Sequence, residues 1–183
     1  MGRDKASLPF GPETLLARVV SRVRPAVSSV WLVAREGQLL PPGFTAARDA
    51  AEGLGPLAGI AAGLRAVKGT RAFVAACDMP FLRPALVTRL LDLSSAHDAC
   101  VPLIDGIAMT TCAVYHRAVA DVADTLVAKR RLRLRFLLDG VNTRYVTVDE
   151  LADVDPGFES FRNCNTPESY AAALRDAGFA NDT

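Results

Sequence analysis

Residues 71–78 constrain the fold of this chain more than any other segment. Residues 71–77 are mostly apolar and show no polar–apolar alternation, which predicts a strand buried on both faces of a parallel sheet. The run stops at Asp78, and Pro80 cannot continue a sheet ladder. Asp78 is therefore expected at the carboxyl edge of the sheet, where open α/β folds bind their ligands. A carboxylate in that position is a candidate metal ligand.

Strand and helix patterns alternate along the rest of the chain. Apolar runs at residues 27–34, 99–104 and 145–148 predict further strands. Asp105-Gly106 is typical of a hairpin turn, so the apolar residues that follow it are expected to pair back on the preceding strand. The alternation predicts a three-layer α/β fold with a mostly parallel sheet and one antiparallel strand. We expect residues 1–183 to form a single domain.

Composition and charge exclude several classes of protein. The net charge is +1 and the pI is near 7.7, so no overall field favours nucleic acid or acidic membranes as partners. The sequence shows no secretory leader and no apolar run of membrane-spanning length. The four cysteines form no Cys-x-x-Cys pair, which argues against a zinc or redox motif and favours buried, reduced thiols. The predicted location is the cytoplasm.

Two further segments each allow two interpretations. Gly53, Gly55, Gly59 and Gly63 crowd the start of a helical pattern, although each glycine inside a helix costs about 1 kcal/mol relative to alanine. They indicate either a ligand lying against the backbone or tight packing of this helix on the sheet.

Residues 129–135 carry five cations in seven positions. They are either the solvated basic face of a helix or a local phosphate-binding patch.

Four short motifs together follow the pattern of a known family. They are Met1-Gly-Arg-Asp-Lys-Ala6, Gly55-Pro-Leu-Ala-Gly-Ile60, Cys77-Asp-Met-Pro-Phe81 and Asn163-Cys-Asn-Thr-Pro-Glu168. In this order and spacing the chain resembles the molybdenum cofactor guanylyltransferases, within the Rossmann-like nucleotidyltransferases. The resemblance covers nearly the whole chain. It implies transfer of GMP from Mg-GTP to the terminal phosphate of molybdenum-bound molybdopterin, with release of pyrophosphate.

The residue chemistry suits such a transfer. The Lys5 ammonium can neutralise a triphosphate as a point charge, and Asp78 can bind Mg²⁺, which usually takes only one or two protein carboxylates. Lys5 and Asp78 are therefore the expected catalytic residues, with Asp78 the ligand of a single metal ion.

The resemblance also implies the two substrate sites. The expected nucleotide site consists of Lys5, Asp49, Gly55, Pro56, Leu57, Gly59 and Asp78. In that site residues 55–59 hold guanine and Asp49 contacts the guanosine portion. The expected acceptor site contains Asn163 and Asn165, whose amides can hydrogen-bond phosphate or pterin without repelling them. Arg131 and Arg133 are assigned to the acceptor phosphate or to a partner that delivers it.

The sequence departs from the family pattern in two places. Members usually carry Gln-Pro or His-Pro where this chain has Met109-Thr110-Thr111. They also open with a buried strand and a Leu-Ala-Gly-Gly-x-Ser-x-Arg loop ahead of the Met-Gly at which this sequence begins. We expect that strand to lie beside residues 71–77, and we expect Met1 to be an internal methionine of a longer product. If Met1 were instead the true start, the chain would be expected to be poorly stable and inactive.

Three alternative functions stay open on the sequence alone. The first is a cytidylyltransferase making the cytosine form of the cofactor, although the Gly55-Pro-Leu-Ala-Gly59 motif favours guanine. The second is a non-catalytic nucleotide- or cofactor-binding relative that serves molybdoenzymes or their chaperones. The third is a phosphotransferase with Asp78 as nucleophile, which lacks the usual second aspartate two residues on.

Overall fold

The computed structural model of the protein describes residues 4–35, 37, 38, 40, 43–49 and 53–179, with the main chain alone at residues 48 and 49. The strands are β1 (Pro9–Phe10), β2 (Glu13–Thr14), β3 (Trp31–Arg35), β4 (Thr45–Asp49), β5 (Arg71–Ala75), β6 (Ala99–Ile104), β7 (Ile107–Ala108), β8 (Cys112–His116) and β9 (Thr143–Val146). The helices are α1 (Leu15–Val23), α2 (Gly55–Ala66), α3 (Pro84–Leu93), α4 (Val119–Ala128), α5 (Arg135–Asp139) and α6 (Pro167–Asp176).

The largest sheet contains five strands in the order β5-β8-β6-β7, with β9 paired to the other side of β6. The β6–β9 pair is parallel, whereas β8 is antiparallel to both of its neighbours. The strands β5, β6 and β9 therefore run in one direction, and β7 and β8 run against them. The predicted α/β class is confirmed, with two antiparallel strands in this sheet where the sequence predicted one, and β3 and β4 form a separate parallel pair.

Two apolar cores cover opposite faces of this sheet. On one face α2, α4 and α5 pack against side chains such as Ala72, Val74 and Tyr115. On the other face α1 and α3 pack against Phe73, Ala75 and Val114. Successive residues of a strand point to opposite faces, so the alternation along β5 and β8 divides their side chains between the two cores. The arrangement is the predicted three-layer sandwich.

Several predicted boundaries differ from the structure, and β5 differs most. Residues 71–77 were expected to be buried on both faces, but β5 ends at Ala75 and all its residues are only half-buried. The reason is that no strand in the described ranges pairs with its second edge. The strand predicted at 27–34 begins only at Trp31, after a 3-10 turn at Arg24–Ala26.

Local capping signals fix two helix starts. The hydroxyl of Thr14 accepts the Ala17 N–H at 3.2 Å, which starts α1. Thr166 and Ser169 form a reciprocal capping box that starts α6 with Pro167 in the first turn. None of the helices in the described part of the chain has the length and apolar character that crossing a membrane requires.

Candidate functional site

Asp78 lies just beyond the carboxyl end of β5, as the sequence predicts. Its residue surface is 7% exposed, which is low for a carboxylate. The Asp78 carbonyl accepts the Cys164 N–H at 2.9 Å, so the segment after β5 is fastened to the segment that precedes α6. This bond places Asn163 and Asn165 next to the strand end, although both are distant in sequence.

Lys5 joins these two segments through its side chain. Its Nζ donates to Asp78 Oδ2 at 3.1 Å and to Asn165 Oδ1 at 2.6 Å. The side chain of Lys5 is 32% exposed and that of Asp78 is 11% exposed, so the ammonium compensates a largely desolvated carboxylate. The 3-10 turn at Lys5–Ser7, capped by the Asp4 carboxylate, holds the lysine in this position. Three separate sequence motifs therefore meet at one point.

The loop that carries Asp78 is held by a buried acidic residue. Asp155 is fully buried, accepts the N–H groups of Glu159 at 3.2 Å and Ser160 at 3.0 Å, and pairs with Arg83 Nε at 3.0 Å. The backbone N–H of Arg83 in turn donates to Ser160 Oγ at 3.0 Å. Asp155 thus ties the end of the Asp78 loop to the 3-10 turn at Glu159–Phe161.

Two arginines hold the middle of the same loop. Arg18 on α1 donates from Nε to the Pro80 carbonyl at 3.3 Å. The Arg162 guanidinium lies 4.7 Å from the centre of the Phe81 ring, within the range of a cation–π contact. Neither the arginines nor Asp155 was singled out from the sequence. Residues 149–155 contain four acidic side chains, and nothing in their pattern marks which one is buried.

The glycine-rich segment forms the loop and first turns of α2. Gly53 and Gly55 adopt positive φ angles of 80° and 67°, which favour glycine, and α2 begins without a side-chain cap. Among the described residues no side chain caps the first N–H groups of α2, and such groups at a helix start suit an anionic or carbonyl group. Gly55, Pro56 and Gly59 line a cavity of about 1620 Å³ that Lys5 also lines.

The remaining predicted residues are placed less closely together. Leu57 is fully buried in the core beneath α2, so its side chain faces away from the cavity. Asn163 is exposed beside Cys164, and among the described contacts no side-chain hydrogen bond joins it to Lys5 or Asp78. Asp49 ends β4, and its side chain lies outside the described part of the structure, as do residues 1–3 of the first motif.

Most of the basic segment, residues 129–134, is a loop between α4 and α5 and not a helical face, and Arg135 begins α5. Arg130 has a positive φ of 54°, which ends α4. The guanidinium of Arg131 stacks on the Phe136 ring at 4.1 Å from its centre. Among the described contacts, none links Arg131 or Arg133 to Lys5, Asp78 or Asn165. Their assignment to the acceptor site remains a prediction.

The oxygen atoms around Lys5 are of the kind that Mg²⁺ prefers. The described residues contain no cluster of three or more His, Cys, Asp or Glu side chains that could hold a metal by themselves. A carboxylate of Asp78 and an amide oxygen of Asn165 nevertheless converge on one cation, the Lys5 ammonium. Mg²⁺ is usually bound by one or two protein oxygens, with water and phosphate completing its shell. This donor set fits such an ion.

The cysteines beside Asp78 are neutral thiols at physiological pH. Burial, followed by the charges of Asp78 and Asp4, raises the pKa of Cys77 to about 11. Burial, followed by the charge of Asp78, raises the pKa of Cys164 to about 11 as well. Because a thiolate is the form that attacks or binds metal, these residues are unsuited to nucleophilic chemistry at pH 7. All four cysteines are free thiols.

Raised thiol pKa values predict a loss of stability in alkali. Burial also raises the pKa of Cys100 to about 11. The unfolded chain loses these protons near pH 9 and the folded chain only near 11, so stability is complete below pH 9 and falls as pH rises towards 11. The slope is at most about 1.4 kcal/mol per pH unit for each thiol. Urea unfolding at pH 7.5, 9.0 and 10.5 measures it, and a Cys100→Ala variant is expected to show a shallower fall.

The Lys5–Asp78 pair predicts a measurable coupling energy. Lys5→Ala strands a largely buried carboxylate, so we expect about 1–2 kcal/mol of destabilisation, less than for a fully buried pair because Lys5 is partly exposed. In a double-mutant cycle with Asp78→Asn, urea unfolding should give a coupling of about 1 kcal/mol. The exposed pair Arg65–Asp124 is the control, and its coupling should be too small to measure because water and salt screen it. Equal couplings for the two pairs would contradict the prediction.

Comparison with known proteins shows which family this chain belongs to. The profile of the family described as "MobA-like NTP transferase domain" matches residues 1–145 of the 183. The chain belongs to this family. A relative from Mycobacterium marinum, named probable molybdenum cofactor guanylyltransferase, is 35% identical over 182 residues, which cover 96% of this chain and 87% of that protein. A relative of the same name from Carboxydothermus hydrogenoformans is 28% identical over 176 residues, covering 96% and 89%.

Solved structures similar to this MobA-like chain share its fold. Molybdopterin-guanine dinucleotide biosynthesis protein A from Archaeoglobus fulgidus superposes with a TM-score of 0.83 at 24% identity, covering 98% of this chain and 93% of that one. The 2-C-methyl-D-erythritol 4-phosphate cytidylyltransferase of Thermus thermophilus gives 0.73 at 20% identity, covering 95% and 93%. The family assignment confirms the resemblance read from the four motifs and makes this chain a member of a nucleotidyltransferase family.

Proposed function

We propose that this protein transfers GMP from Mg-GTP to the terminal phosphate of molybdenum-bound molybdopterin and releases pyrophosphate. The observation that carries the proposal is the contact of Lys5 with both Asp78 and Asn165 at the carboxyl end of β5. Its residues come from three of the four motifs that define the resemblance. The names of the curated relatives support the same reaction.

The reaction needs positioning and charge compensation more than covalent help. An oxygen of the acceptor phosphate attacks the α-phosphorus of GTP and forms a new P–O bond. The bond between the α-phosphorus and its bridging oxygen breaks, and that oxygen leaves with its electron pair on pyrophosphate. The attacking phosphate oxygen is already anionic, so no protein side chain has to remove a proton.

The residues on the nucleotide side each bind or neutralise one part of Mg-GTP in this proposal. Lys5 neutralises the triphosphate, and Asp78 holds Mg²⁺, which when bound neutralises further charge on the phosphates. The start of α2, with Gly55, Pro56 and Gly59, is proposed to receive the nucleotide, and the fully buried Leu57 is proposed to support this segment from the core beneath it. Asp49 contacts the guanosine portion, a role carried over from the resemblance.

Amides and guanidinium groups serve the acceptor in the proposal. Asn163 and Asn165 are proposed to hydrogen-bond the phosphate or pterin of molybdenum-molybdopterin. The side-chain oxygen of Asn165 accepts a hydrogen bond from Lys5. Arg131 and Arg133 are proposed to meet the acceptor phosphate or a protein that carries it, such as a molybdoenzyme or its chaperone. We also propose a cytoplasmic location, which suits four free thiols because that compartment keeps cysteines reduced.

A nucleotide-selection assay tests the proposal. Pyrophosphate release is measured with Mg²⁺ and molybdenum-molybdopterin in the presence of GTP, CTP or ATP, and the dinucleotide product is identified by mass. We expect GTP to be at least about tenfold better than CTP, a discrimination that one or two hydrogen bonds to the base can supply. A preference for CTP would identify a cytidylyltransferase, and GTP binding without pyrophosphate release would identify a non-catalytic relative.

A further inference from the structure

Lys5 is assigned to the triphosphate and Asp78 to Mg²⁺, yet the structure joins these two side chains to each other. The Lys5 Nζ lies 3.1 Å from Asp78 Oδ2 and 2.6 Å from Asn165 Oδ1. These are the two oxygen atoms whose chemistry fits a magnesium ion. An ammonium and a divalent ion repel each other strongly at such short range, so the two cations cannot share this pair of oxygens.

The surroundings of Asp78 make this competition severe. Asn165 is neutral, so the pair of oxygens carries the single negative charge of Asp78. Within the described ranges, no cluster of three or more His, Cys, Asp or Glu side chains adds charge to it. The Asp78 side chain is 11% exposed, so little water screens the repulsion between two cations beside it. One negative charge therefore serves either the ammonium or the metal ion.

The main chain at Lys5 is held in place, whereas its side chain can move. The Ala6 N–H donates to Asp4 Oδ1 at 3.2 Å, and the side-chain amide of Gln38 donates to Asp4 Oδ2 at 2.9 Å. These bonds fix the 3-10 turn that carries the lysine. The Lys5 side chain is 32% exposed and consists of a flexible stem. Rotation of this stem moves the ammonium away from Asp78 while the turn stays in place.

We propose that Lys5 selects the Mg-nucleotide over the free metal ion, because its ammonium blocks Asp78 until a triphosphate draws it away. This inference rests on the proposed function, which takes Mg-GTP as the substrate. A triphosphate offers Lys5 several negative charges where Asp78 offers one, so the ammonium moves to the phosphates. Asp78 then accepts the metal ion that arrives with them. A free divalent ion brings no anion for Lys5 and is repelled.

Binding of Mn²⁺ without nucleotide tests this block by Lys5. Mn²⁺ prefers the same oxygen ligands as Mg²⁺, and electron paramagnetic resonance measures its free concentration. Lys5→Met keeps an unbranched side chain and removes its charge. We expect the Lys5→Met protein to bind Mn²⁺ at least about tenfold more tightly than the wild type, because a like charge is removed from beside the carboxylate. Lys5→Arg keeps the charge and should stay within about threefold of the wild type.

Two control variants show whether the gain in affinity comes from Asp78. Lys68 is exposed and precedes β5, whereas Asp78 follows it, so Lys68→Met removes the same charge at the opposite end of this strand. Its Mn²⁺ affinity should stay within about twofold of the wild type, since salt screens distant exposed charges. Adding Asp78→Asn to Lys5→Met should cancel the gain. An equal gain in Lys68→Met, or a gain that survives in the double variant, would overturn the proposal.

A measurement on the wild type decides the question if Lys5→Met fails to fold. Paramagnetic Mn²⁺ broadens the NMR signals of nearby nuclei, and the Cys164 N–H is bonded to the Asp78 carbonyl. With Mn²⁺ alone, the amide signals of Cys164 and Asn165 should broaden no more than those of other residues. With Mn²⁺ and a non-hydrolysable GTP analogue, both signals should be lost. Selective loss of both signals with Mn²⁺ alone would overturn the block by Lys5.

The outcomes of these experiments separate this inference from the proposed function. If Lys5→Met gains no Mn²⁺ affinity while the wild type releases pyrophosphate from GTP, the block by Lys5 is overturned and the proposed function stands. If Lys5→Met gains affinity through Asp78 while the wild type prefers CTP, the block stands and guanylyl transfer is overturned.

Discussion

Replacing Asp78 by asparagine is expected to lower Mg-dependent pyrophosphate release from GTP on the order of 10²–10³-fold. Asparagine keeps the shape and one oxygen but removes the charge that is proposed to hold Mg²⁺. The fold should survive, because the backbone bond from Cys164 to the Asp78 carbonyl does not involve the side chain. Steady-state release at several Mg²⁺ concentrations measures the loss, and the wild-type dependence on Mg²⁺ should flatten in the variant.

Asp105→Asn is the matched control for this substitution. Asp105 is exposed and occupies a turn with a φ of 50°, a conformation that asparagine adopts readily. Its rate should stay within about twofold of the wild type, as expected for a surface change. An Asp78→Asn protein that keeps more than a tenth of the wild-type rate would remove Asp78 from the proposed metal site, whatever the nucleotide preference.

Elements defined by neighbouring residues could be predicted from the sequence. The predicted strand at 99–104 coincides with β6, and the turn at Asp105 and Gly106 has the two positive φ angles that a tight hairpin requires. Thr166 likewise caps α6 directly before Pro167, a combination of residue types that is typical of a helix start. In each case the signal and the structure lie within a few residues of each other, so no distant contact has to be known.

Choices between distant partners could not be predicted in this way. Nothing local indicates that β8 inserts between β5 and β6, because any strand of similar composition satisfies the same pattern. The half-buried state of β5 has the same origin, since it depends on what lies beside the strand.

The candidate site also combines features that the sequence indicates with contacts that only the fold shows. The four motifs indicated Lys5, Asp78 and Asn165 through a family resemblance, but their mutual contact spans up to 160 residues of sequence and required the fold. The assignment of Arg131 to the acceptor site stays a prediction, because the described contacts place its guanidinium on the Phe136 ring and do not show what else it meets. Charge alone indicates chemistry that a residue can perform, whereas packing decides where it is performed.

Replacing Asp155 by alanine is expected to destabilise the protein by about 3 kcal/mol. The change leaves the Glu159 and Ser160 N–H groups without their acceptor inside the core and removes the partner of Arg83. Each buried unsatisfied group costs about 1–3 kcal/mol, and the partly exposed Arg83 can recover water. Urea unfolding at pH 7.5 measures the loss.

The neighbouring Asp153 provides the control, because it differs from Asp155 mainly in burial. Its side chain is 64% exposed and pairs with Arg89 at 2.5 Å, so Asp153→Ala should cause little or no measurable loss of stability. Equal losses of stability for the two variants would show that the buried hydrogen bonds of Asp155 do not stabilise the fold.

Because Asp155 also holds Arg83 at the end of the Asp78 loop, its alanine variant should lose pyrophosphate release even at temperatures where it is fully folded. A folded Asp155→Ala protein with wild-type activity would show that the Asp78 carboxylate is positioned by Lys5 and Cys164 alone.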